Sequence, residues 1–233
     1  MHMSAIIDVI IPAYNEEDSI GKVLQDLPTE LVREVVVCNN ASTDRTGAVA
    51  RSQGATVVEQ PRKGYGSACL KGMEYLAQKP PAERPQIVVF LDGDYSDHPD
   101  ELAQVVAPIL QGDYDLVIGS RALGNMERGA MQPQQIFGNW LATNLIRLLY
   151  NYHFTDLGPF RAIRYDRLVE MEMEDKDFGW TVEMQVRAAK MRLRCTEVPV
   201  RYRRGIGVSK VSGTVRGTIL AGHKILWTIF KLL

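Results

Sequence analysis

The stretch that decides the fold is Ile87-Val88-Val89-Phe90-Leu91-Asp92-Gly93-Asp94, near the middle of the 233-residue chain. Its first five residues are apolar, and such a run predicts a strand that is buried on both faces of a sheet. The strand runs directly into two carboxylates that are separated by one glycine. Because a buried, unpaired carboxylate costs free energy, we expect both acids where the sheet opens to a ligand. Two acids on a tight turn suit a divalent cation that holds a diphosphate, although an isolated Asp-Gly-Asp is more often a solvated turn.

Composition is that of one globular domain, with 45% hydrophobic and 24% charged residues. The net charge of -1 gives no general reason to expect nucleic-acid binding. Charge is uneven, however, because residues 187–210 carry many cations and Glu197 as their one acid. This segment predicts a local basic patch that faces an anion. Its cations are Arg187, Lys190, Arg192, Arg194, Arg201, Arg203, Arg204 and Lys210.

The cysteines and the N-terminus predict a cytoplasmic protein. Three cysteines are widely separated, odd in number and without metal-ligand spacing, which is typical of a reducing compartment. The apolar stretch near the N-terminus is interrupted by Asp8 and Pro12, so a secretory signal is not expected. The cysteines are Cys38, Cys69 and Cys195.

Short apolar strands alternate with helical segments through the first half of the chain. Strands are predicted at 6–11, 34–38, 56–59, 87–91 and 115–119, with amphipathic helices between them. This alternation predicts an α/β fold with a largely parallel sheet.

Polar side chains follow several of these predicted strands. Parallel strands bring their carboxyl ends to one edge of the sheet, so these groups are expected to converge there. Each alone is typical of a turn or a helix cap, but together they suit a nucleotide diphosphate. The phosphate loops of P-loop and dinucleotide-binding proteins are absent from the sequence. The converging residues are Tyr14, Glu16, Asn39, Asn40, Lys63, Asp92, Asp94 and Arg121.

The second half is more helical. Residues 134–154 place most of their apolar side chains on one wide helical face. Glu183 lies in the first turn of a predicted helix, where the helix dipole favours an acid, so a purely structural role is as plausible as a chemical one. Residues 218–233 form an amphipathic pattern that suits a helix on a membrane surface. The same pattern suits a core-packed or dimer-forming helix, and the sequence leaves these alternatives open.

Eight motifs, in this order, resemble those of family 2 glycosyltransferases of the dolichyl-phosphate mannose or glucose synthase type. The resemblance covers nearly the whole chain, and its specificity comes from the set of motifs together. The motifs are IIPAYNE (10–16), NNASTD (39–44), RKGYGSA (62–68), LDGDYSDHP (91–99), GSR (119–121), TDLGPFRAI (155–163), WTVEMQ (180–185) and VPVRYRRGIGVSK (198–210).

The resemblance implies a GT-A fold, with a Rossmann-like, mainly parallel sheet flanked by helices and a C-terminal helical extension. It implies inverting transfer of a hexose, glucose or mannose, from a UDP- or GDP-linked sugar with Mg²⁺ or Mn²⁺. By motif, Asp92, Gly93 and Asp94 would form the metal-binding DxD turn. The nucleotide would contact Pro12, Tyr14, Glu16 and Asn40, and the phosphates would lie near Lys63 and Arg121, with Arg201, Ser209 and Lys210 on a loop that closes over them.

Two departures from the family pattern leave details open. The family commonly has two aspartates where this chain has Asn39-Asn40, which leaves the choice of base undecided. The DxDxxHP motif is one residue longer here, so the third metal ligand is undecided, with Asp97 as a candidate.

The acceptor decides which residues would perform the chemistry. A polyprenyl phosphate is already anionic and needs little base assistance, so Arg161 and the basic patch would position it. A hydroxyl acceptor needs a carboxylate base, for which Asp156 or Glu183 is the natural candidate. The basic patch and the apolar helices favour the lipid phosphate, which implies a protein at the cytoplasmic membrane face.

The sequence predicts a single domain, 1–233. We divide it into a nucleotide-sugar half (1–121), an acceptor half (122–212) and a C-terminal helix (213–233). A sugar nucleotidyltransferase is a weaker alternative, since it would carry a glycine-rich basic loop where this chain has residues 12–16. An inactive sugar-nucleotide-binding protein is also disfavoured, because the motif acids and cations are intact.

Overall fold

The computed structural model describes residues 5–207 and 215–233. The first half of the chain alternates strands and helices, as its apolar periodicity predicts. Its elements are β1 (Ile7–Ala13), α1 (Ile20–Gln25), β2 (Glu34–Asn39), α2 (Thr46–Ser52), β3 (Thr56–Glu59), α3 (Tyr65–Ala77), β4 (Ile87–Phe90), α4 (Leu102–Leu110) and β5 (Leu116–Ser120).

The second half adds two strands and four helices within the described residues. Its elements are α5 (Pro133–Tyr150), β6 (Arg161–Arg164), α6 (Tyr165–Glu170), α7 (Trp180–Lys190), β7 (Cys195–Pro199) and α8 (Val215–Lys231). No helix among the described residues has both the length and the apolar character that crossing a bilayer requires.

All seven strands form one sheet in the order β3-β2-β1-β4-β6-β5-β7. β6 is antiparallel to both of its neighbours, β4 and β5, and the remaining pairs are parallel. The predicted α/β class with a mainly parallel sheet is therefore confirmed. The strand that leads to Asp92 lies at the centre of this sheet, as its continuous apolar run predicts.

The core consists of two layers, one on each face of the sheet. Successive residues of β4 alternate between them: Val88 and Phe90 pack with α3, α5 and α7, whereas Ile87 and Val89 pack with α1, α2 and α4. Because both faces are covered, each of these side chains is almost completely buried. Each contributes about 1.5–3 kcal/mol of hydrophobic stabilisation. This packing fixes the end of β4, and with it the position of the Asp92 turn.

Candidate active site

A cavity of about 540 Å³ opens where β1, β2 and β4 end. It contains eight of the residues predicted to bind the nucleotide sugar: Pro12, Tyr14, Glu16, Asn40, Lys63, Asp92, Gly93 and Asp94. They come from four separate segments of sequence and meet because parallel strands end at the same edge. The lining also includes Tyr65, Gly129, Ala130, Gln132, Phe178, Tyr202 and residues 204–207.

Lys63 and Tyr14 join two of the loops that form the cavity. The Nζ of Lys63 donates a hydrogen bond of 2.7 Å to the hydroxyl of Tyr14 and lies 4.6 Å from the centre of its ring. The ammonium group is thereby held at the cavity wall, where it can meet an anion.

Asn40 fixes the loop that carries Lys63. Its Nδ2 donates to the carbonyl oxygen of Arg62 at 2.6 Å, and its Oδ1 accepts from the amide of Gly64 at 2.8 Å. An ionised aspartate accepts hydrogen bonds but donates none, so it would face the Arg62 carbonyl without a proton to share. The neighbouring Asn39 likewise donates to Glu59, at 2.7 Å. These bonds give a physical reason for asparagine at both positions.

Three carboxylates crowd the turn after β4. Burial and the neighbouring Asp94 raise the pKa of Asp92 to about 7, and one of its oxygens accepts a hydrogen bond of 2.9 Å from the Tyr65 hydroxyl. Asp97 is buried, and burial together with Asp92 and Asp94 raises its pKa well above the usual range. Its Oδ1 has no hydrogen-bond partner among the residues that the structure describes. An unpartnered buried oxygen among like charges is the environment that a bound cation relieves.

The acids fit a metal that also binds substrate. Within residues 5–207 and 222–233, no group of three or more His, Cys, Asp or Glu side chains is arranged to hold an ion alone. Mg²⁺ commonly takes one or two protein carboxylates and completes its shell with substrate phosphates and water. Asp92 and Asp94 suit such a site. Asp94 is oriented by its Oδ1, which accepts hydrogen bonds from the amide and hydroxyl of Ser96 at 2.9 and 2.6 Å.

Arg121 lies close to these acids but is tied to Asp156. The Asp156 carboxylate accepts three hydrogen bonds from Arg121: from its backbone amide at 2.7 Å, from Nε at 2.8 Å and from a terminal nitrogen at 2.7 Å. Burial opposes the charge of Arg121, but the Asp156 carboxylate outweighs burial and raises the pKa of Arg121. Asp156 is therefore the counter-ion of Arg121, and its oxygens are already engaged.

Arg161, expected to meet the acceptor, points into the protein instead. Its side chain is completely buried and donates to the carbonyl oxygens of Leu157, Gly158 and Thr181, each at 3.0 Å. Burial lowers its pKa to about 10. The physical reason is local packing: β6 begins between β4 and β5, and the carbonyl groups of residues 157, 158 and 181 surround the guanidinium.

Glu183, the other candidate base, lies in a different place. It accepts hydrogen bonds from the amides of Glu174 and Asp175, at 3.1 and 2.7 Å, and from the Nε of Arg187 at 2.8 Å. It lines a separate cavity of about 260 Å³ beside α8, and it is absent from the lining of the Asp92 cavity. The helix-start interpretation describes this geometry best.

Four of the eight cations in the predicted basic patch pair with acids of the protein, among them Arg203, which lies 3.8 Å from Asp26. Arg187 pairs with Glu183, Arg194 with Asp115, and Arg201 with Glu101 and Asp100. These four cations therefore contact acids of the protein rather than a shared anion site, which corrects that part of the expectation from the sequence. Arg201 is absent from the cavity lining.

Arg204 lines the cavity in place of Arg201, and the sequence motif did not single it out. The following residues pack on the acidic turn: the amide of Ile206 donates to the Asp94 carbonyl at 2.8 Å. A Cβ on Gly205 would lie 2.8 Å from a side-chain oxygen of Asp94, so a larger residue there would displace the Asp94 carboxylate. Ser209 and Lys210 lie outside the described residues.

The fold and the cavity are those of a glycosyltransferase with the GT-A fold, and comparisons with known proteins agree. Residues 8–170 match Glycosyl transferase family 2. An uncharacterised glycosyltransferase from Mycobacterium tuberculosis is 36% identical over 219 residues, covering 92% of this chain and 94% of that protein. A dolichyl-phosphate hexose transferase from Haloferax volcanii is 33% identical, covering 91% and 89%. The chain belongs to glycosyl transferase family 2.

Solved structures show the same fold. Glucosyl-3-phosphoglycerate synthase from Mycobacterium tuberculosis, crystallised with Mn²⁺, UDP and glucosyl-3-phosphoglycerate, superposes with a TM-score of 0.76. The sequences are 22% identical, and the alignment covers 98% of this chain and 80% of that one.

Proposed function

We propose that this glycosyltransferase moves a hexose, with inversion, from a UDP- or GDP-linked sugar to a polyprenyl phosphate, with Mg²⁺ or Mn²⁺. The observation that carries the proposal is the convergence of Asp92 and Asp94 with Tyr14 and Lys63 in one cavity. Acids for a cation, a cationic side chain for phosphate and an aromatic ring for a nucleoside are what a sugar nucleotide requires. The relatives of this chain include a dolichyl-phosphate hexose transferase.

The donor binds across the strand ends. Pro12, Tyr14, Glu16 and Asn40 surround the base and ribose, and Gly93 allows the donor to approach the DxD backbone closely. Lys63 lies against the diphosphate. A divalent cation held by Asp92 and Asp94 would neutralise charge on the diphosphate as it leaves. Arg121 adds positive charge beside these acids, and Arg204 contacts the phosphates from the cavity wall. For Ser209 and Lys210 we keep the phosphate-binding role that the motif implies.

The acceptor supplies its own nucleophile. A phosphate oxygen of the lipid attacks the anomeric carbon, the bond from that carbon to the diphosphate breaks, and the nucleoside diphosphate leaves. No proton has to be removed from the acceptor. The engagement of Asp156 by Arg121 and the remote position of Glu183 both favour this reaction over transfer to a hydroxyl, which needs a free base.

An exposed apolar surface suits a lipid acceptor. We call it the α5–α8 surface: Phe137, Trp140 and Leu148 on α5, with Trp227, Phe230 and Leu233 at the end of the chain, each more than half exposed. The two helices contact each other, with the Tyr150 hydroxyl donating to the Ile229 carbonyl. Gln132, the N-cap of α5, lines the donor cavity, so the surface begins next to the cavity. We propose that it rests on the membrane that carries the acceptor.

The donor is tested by thermal unfolding with UDP, GDP and their glucose and mannose derivatives, with and without Mg²⁺ or Mn²⁺. We expect one base to stabilise the protein, and more strongly with metal. Asp94→Ala should remove the increment that metal adds, whereas Asp113→Ala, which changes an exposed acid outside the cavity, should retain it. Absence of stabilisation by every nucleotide would refute the proposal.

The acceptor is tested by transfer of labelled sugar to polyprenyl phosphate in liposomes. The double variant Phe137→Ser, Trp140→Ser should show both weaker flotation of the protein with liposomes and slower transfer of sugar to the lipid. Leu110→Ser is the matched control, since Leu110 is an exposed apolar residue of α4, on the other face of the sheet. Flotation that is unchanged by the α5 substitutions and by removal of residues 218–233 would exclude this surface as the membrane contact.

A further inference from the structure

Tyr65 begins the helix that follows the loop carrying Lys63. It is the first residue of α3 and lines the cavity, and its hydroxyl donates a hydrogen bond of 2.9 Å to Oδ1 of Asp92. Aromatic residues at the start of a helix are ordinarily packing residues. Here the hydroxyl meets one of the two carboxylates that the proposed function assigns to the metal.

The backbone on both sides of Tyr65 is clamped. A Cβ on Gly64 would lie 2.2 Å from the carbonyl oxygen of Lys176, and one on Gly66 would lie 2.0 Å from that of Asp175. Such distances are far below contact, so glycine is needed on each side. The first turn of α3 is thereby pressed directly against residues 175–177, and Tyr65 has little freedom to move.

Hydrogen bonds reinforce this contact. The amide of Gly66 donates to the Asp177 carbonyl at 3.2 Å, and the amide and hydroxyl of Ser67 donate to the Lys176 carbonyl at 2.9 and 3.1 Å. A helix start with free amides is a common place for a phosphate. In α3 two of these amides donate to residues 176 and 177 instead, so they are not available to a phosphate, and the turn is held in one position with Tyr65 at its start.

The loop at 175–177 is itself held firmly. Glu183 accepts the amides of Glu174 and Asp175, and the Asp175 carboxylate accepts the amides of Asp177 and Gly179 at 2.8 and 3.1 Å. Glu183, which the sequence suggested as a base, therefore supports Tyr65 through this loop.

We propose that Tyr65 is a positioning residue for the metal: its hydroxyl fixes the orientation of the Asp92 carboxylate that binds the divalent cation. The inference rests on the proposed function, because it assumes that Asp92 is a ligand. With Oδ1 engaged, rotation of the carboxylate is restricted, and the site is organised before metal and donor arrive. Groups that orient a metal ligand in this way typically change metal affinity by roughly 10- to 100-fold when they are removed.

Tyr65→Phe removes the hydroxyl and keeps the ring. The matched control is Tyr75→Phe on the same helix, since the Tyr75 hydroxyl also donates to a carboxylate, Glu34 Oε1, at 2.7 Å, outside the cavity. Mn²⁺ binding in the presence of UDP or GDP, whichever stabilises the wild-type protein, is measured by electron paramagnetic resonance of free Mn²⁺. Nucleotide binding without metal is measured by calorimetry.

We expect Tyr65→Phe to weaken Mn²⁺ binding roughly 10- to 100-fold, to leave metal-free nucleotide binding unchanged, and to regain most of its turnover at saturating Mn²⁺. Tyr75→Phe should bind Mn²⁺ like the wild type. Unchanged Mn²⁺ binding in Tyr65→Phe would overturn the inference, and so would an equal loss of metal-free nucleotide binding, which would mean that the hydroxyl contacts the nucleotide. If the wild type itself binds no Mn²⁺ with nucleotide, the proposed function fails, and this inference fails with it.

Discussion

Replacing Asp156 by asparagine should lower the free energy of unfolding, and not only the turnover. Asp156 is 1% exposed, and its carboxylate accepts three hydrogen bonds from Arg121, two at 2.7 Å and one at 2.8 Å. The amide keeps the shape of the side chain but removes the charge, and its NH₂ group would face a donor. Arg121 is then a buried cation without its counter-ion.

Removing one partner of a buried ion pair costs about 3–5 kcal/mol, against a total stability of about 5–15 kcal/mol for a typical domain. With an m-value of about 3 kcal/mol/M, the urea midpoint of Asp156→Asn should fall by about 1–1.7 M. Asp100→Asn is the matched control, because Asp100 pairs with Arg201 on the surface with 53% of its side chain exposed. Surface pairs of this kind contribute about 1 kcal/mol or less.

The measurement is equilibrium urea unfolding of both variants, followed by circular dichroism, with turnover assayed where each is fully folded. A general base would behave differently: turnover would fall by roughly 10²- to 10⁴-fold while the midpoint stayed in place. That result would refute the structural role of Asp156 and restore the hydroxyl acceptor. A second check is the pair Arg121→Met with Asp156→Leu, which should cost less than the sum of its single changes.

Three further predictions concern the loops around the cavity. Gly66→Ala should lower the urea midpoint, because the new Cβ has to move away from the Asp175 carbonyl at a cost in stability of about 1–3 kcal/mol. The control is Gly138→Ala in α5, which should be neutral or stabilising because there is open space around Gly138. Asn40→Asp should cost about 1–3 kcal/mol in the same assay, because the Arg62 carbonyl loses its donor; equal midpoints would show that the Lys63 loop does not depend on this bond. In the metal-free protein, the contribution of Asp92 to stability should fall as pH rises from about 4 to about 7. Burial and Asp94 raise the pKa of folded Asp92 to about 7, so it keeps a proton that the unfolded chain has already lost. Mn²⁺ competes with that proton for Asp92. The apparent affinity of the protein for Mn²⁺ should therefore rise by about ten-fold per pH unit up to about pH 7 and then level off. Mn²⁺ titrations between pH 5 and 8 test this.

The local sequence pattern was sufficient to predict the secondary-structure elements of the first half of the chain and the donor-binding half of the site. Residues 87–91 predicted a doubly buried strand, and β4 is one, since apolar side chains alternate between two covered faces. Six of the eight polar groups that were predicted to converge line one cavity, because that result depends only on parallel strands and on the position of each strand end. Asn39 and Arg121 are absent from its lining, since they pair with Glu59 and Asp156 instead. Structural features that depend only on one strand and the loop after it can therefore be predicted from the sequence.

Long-range pairing could not be inferred in the same way. Residues 155–163 predicted a turn and a short strand, but nothing local shows that β6 inserts between β4 and β5. That placement buries Arg161 and gives it carbonyl partners. Glu183 and Arg201 were similarly ambiguous, since an acid at a helix start and an arginine in a basic segment take their roles from whichever loop packs against them.

The position of β6 also has a consequence for biosynthesis. β4 is complete at Phe90, yet the strand that covers one of its edges starts at Arg161, about seventy residues later. While the ribosome produces the intervening segment, one edge of the central strand exposes unpaired amide and carbonyl groups, and such edges promote association between nascent chains. Premature termination before residue 161 should therefore produce fragments that aggregate, and folding of the complete sheet should be among the slower events because it requires contacts so distant in sequence.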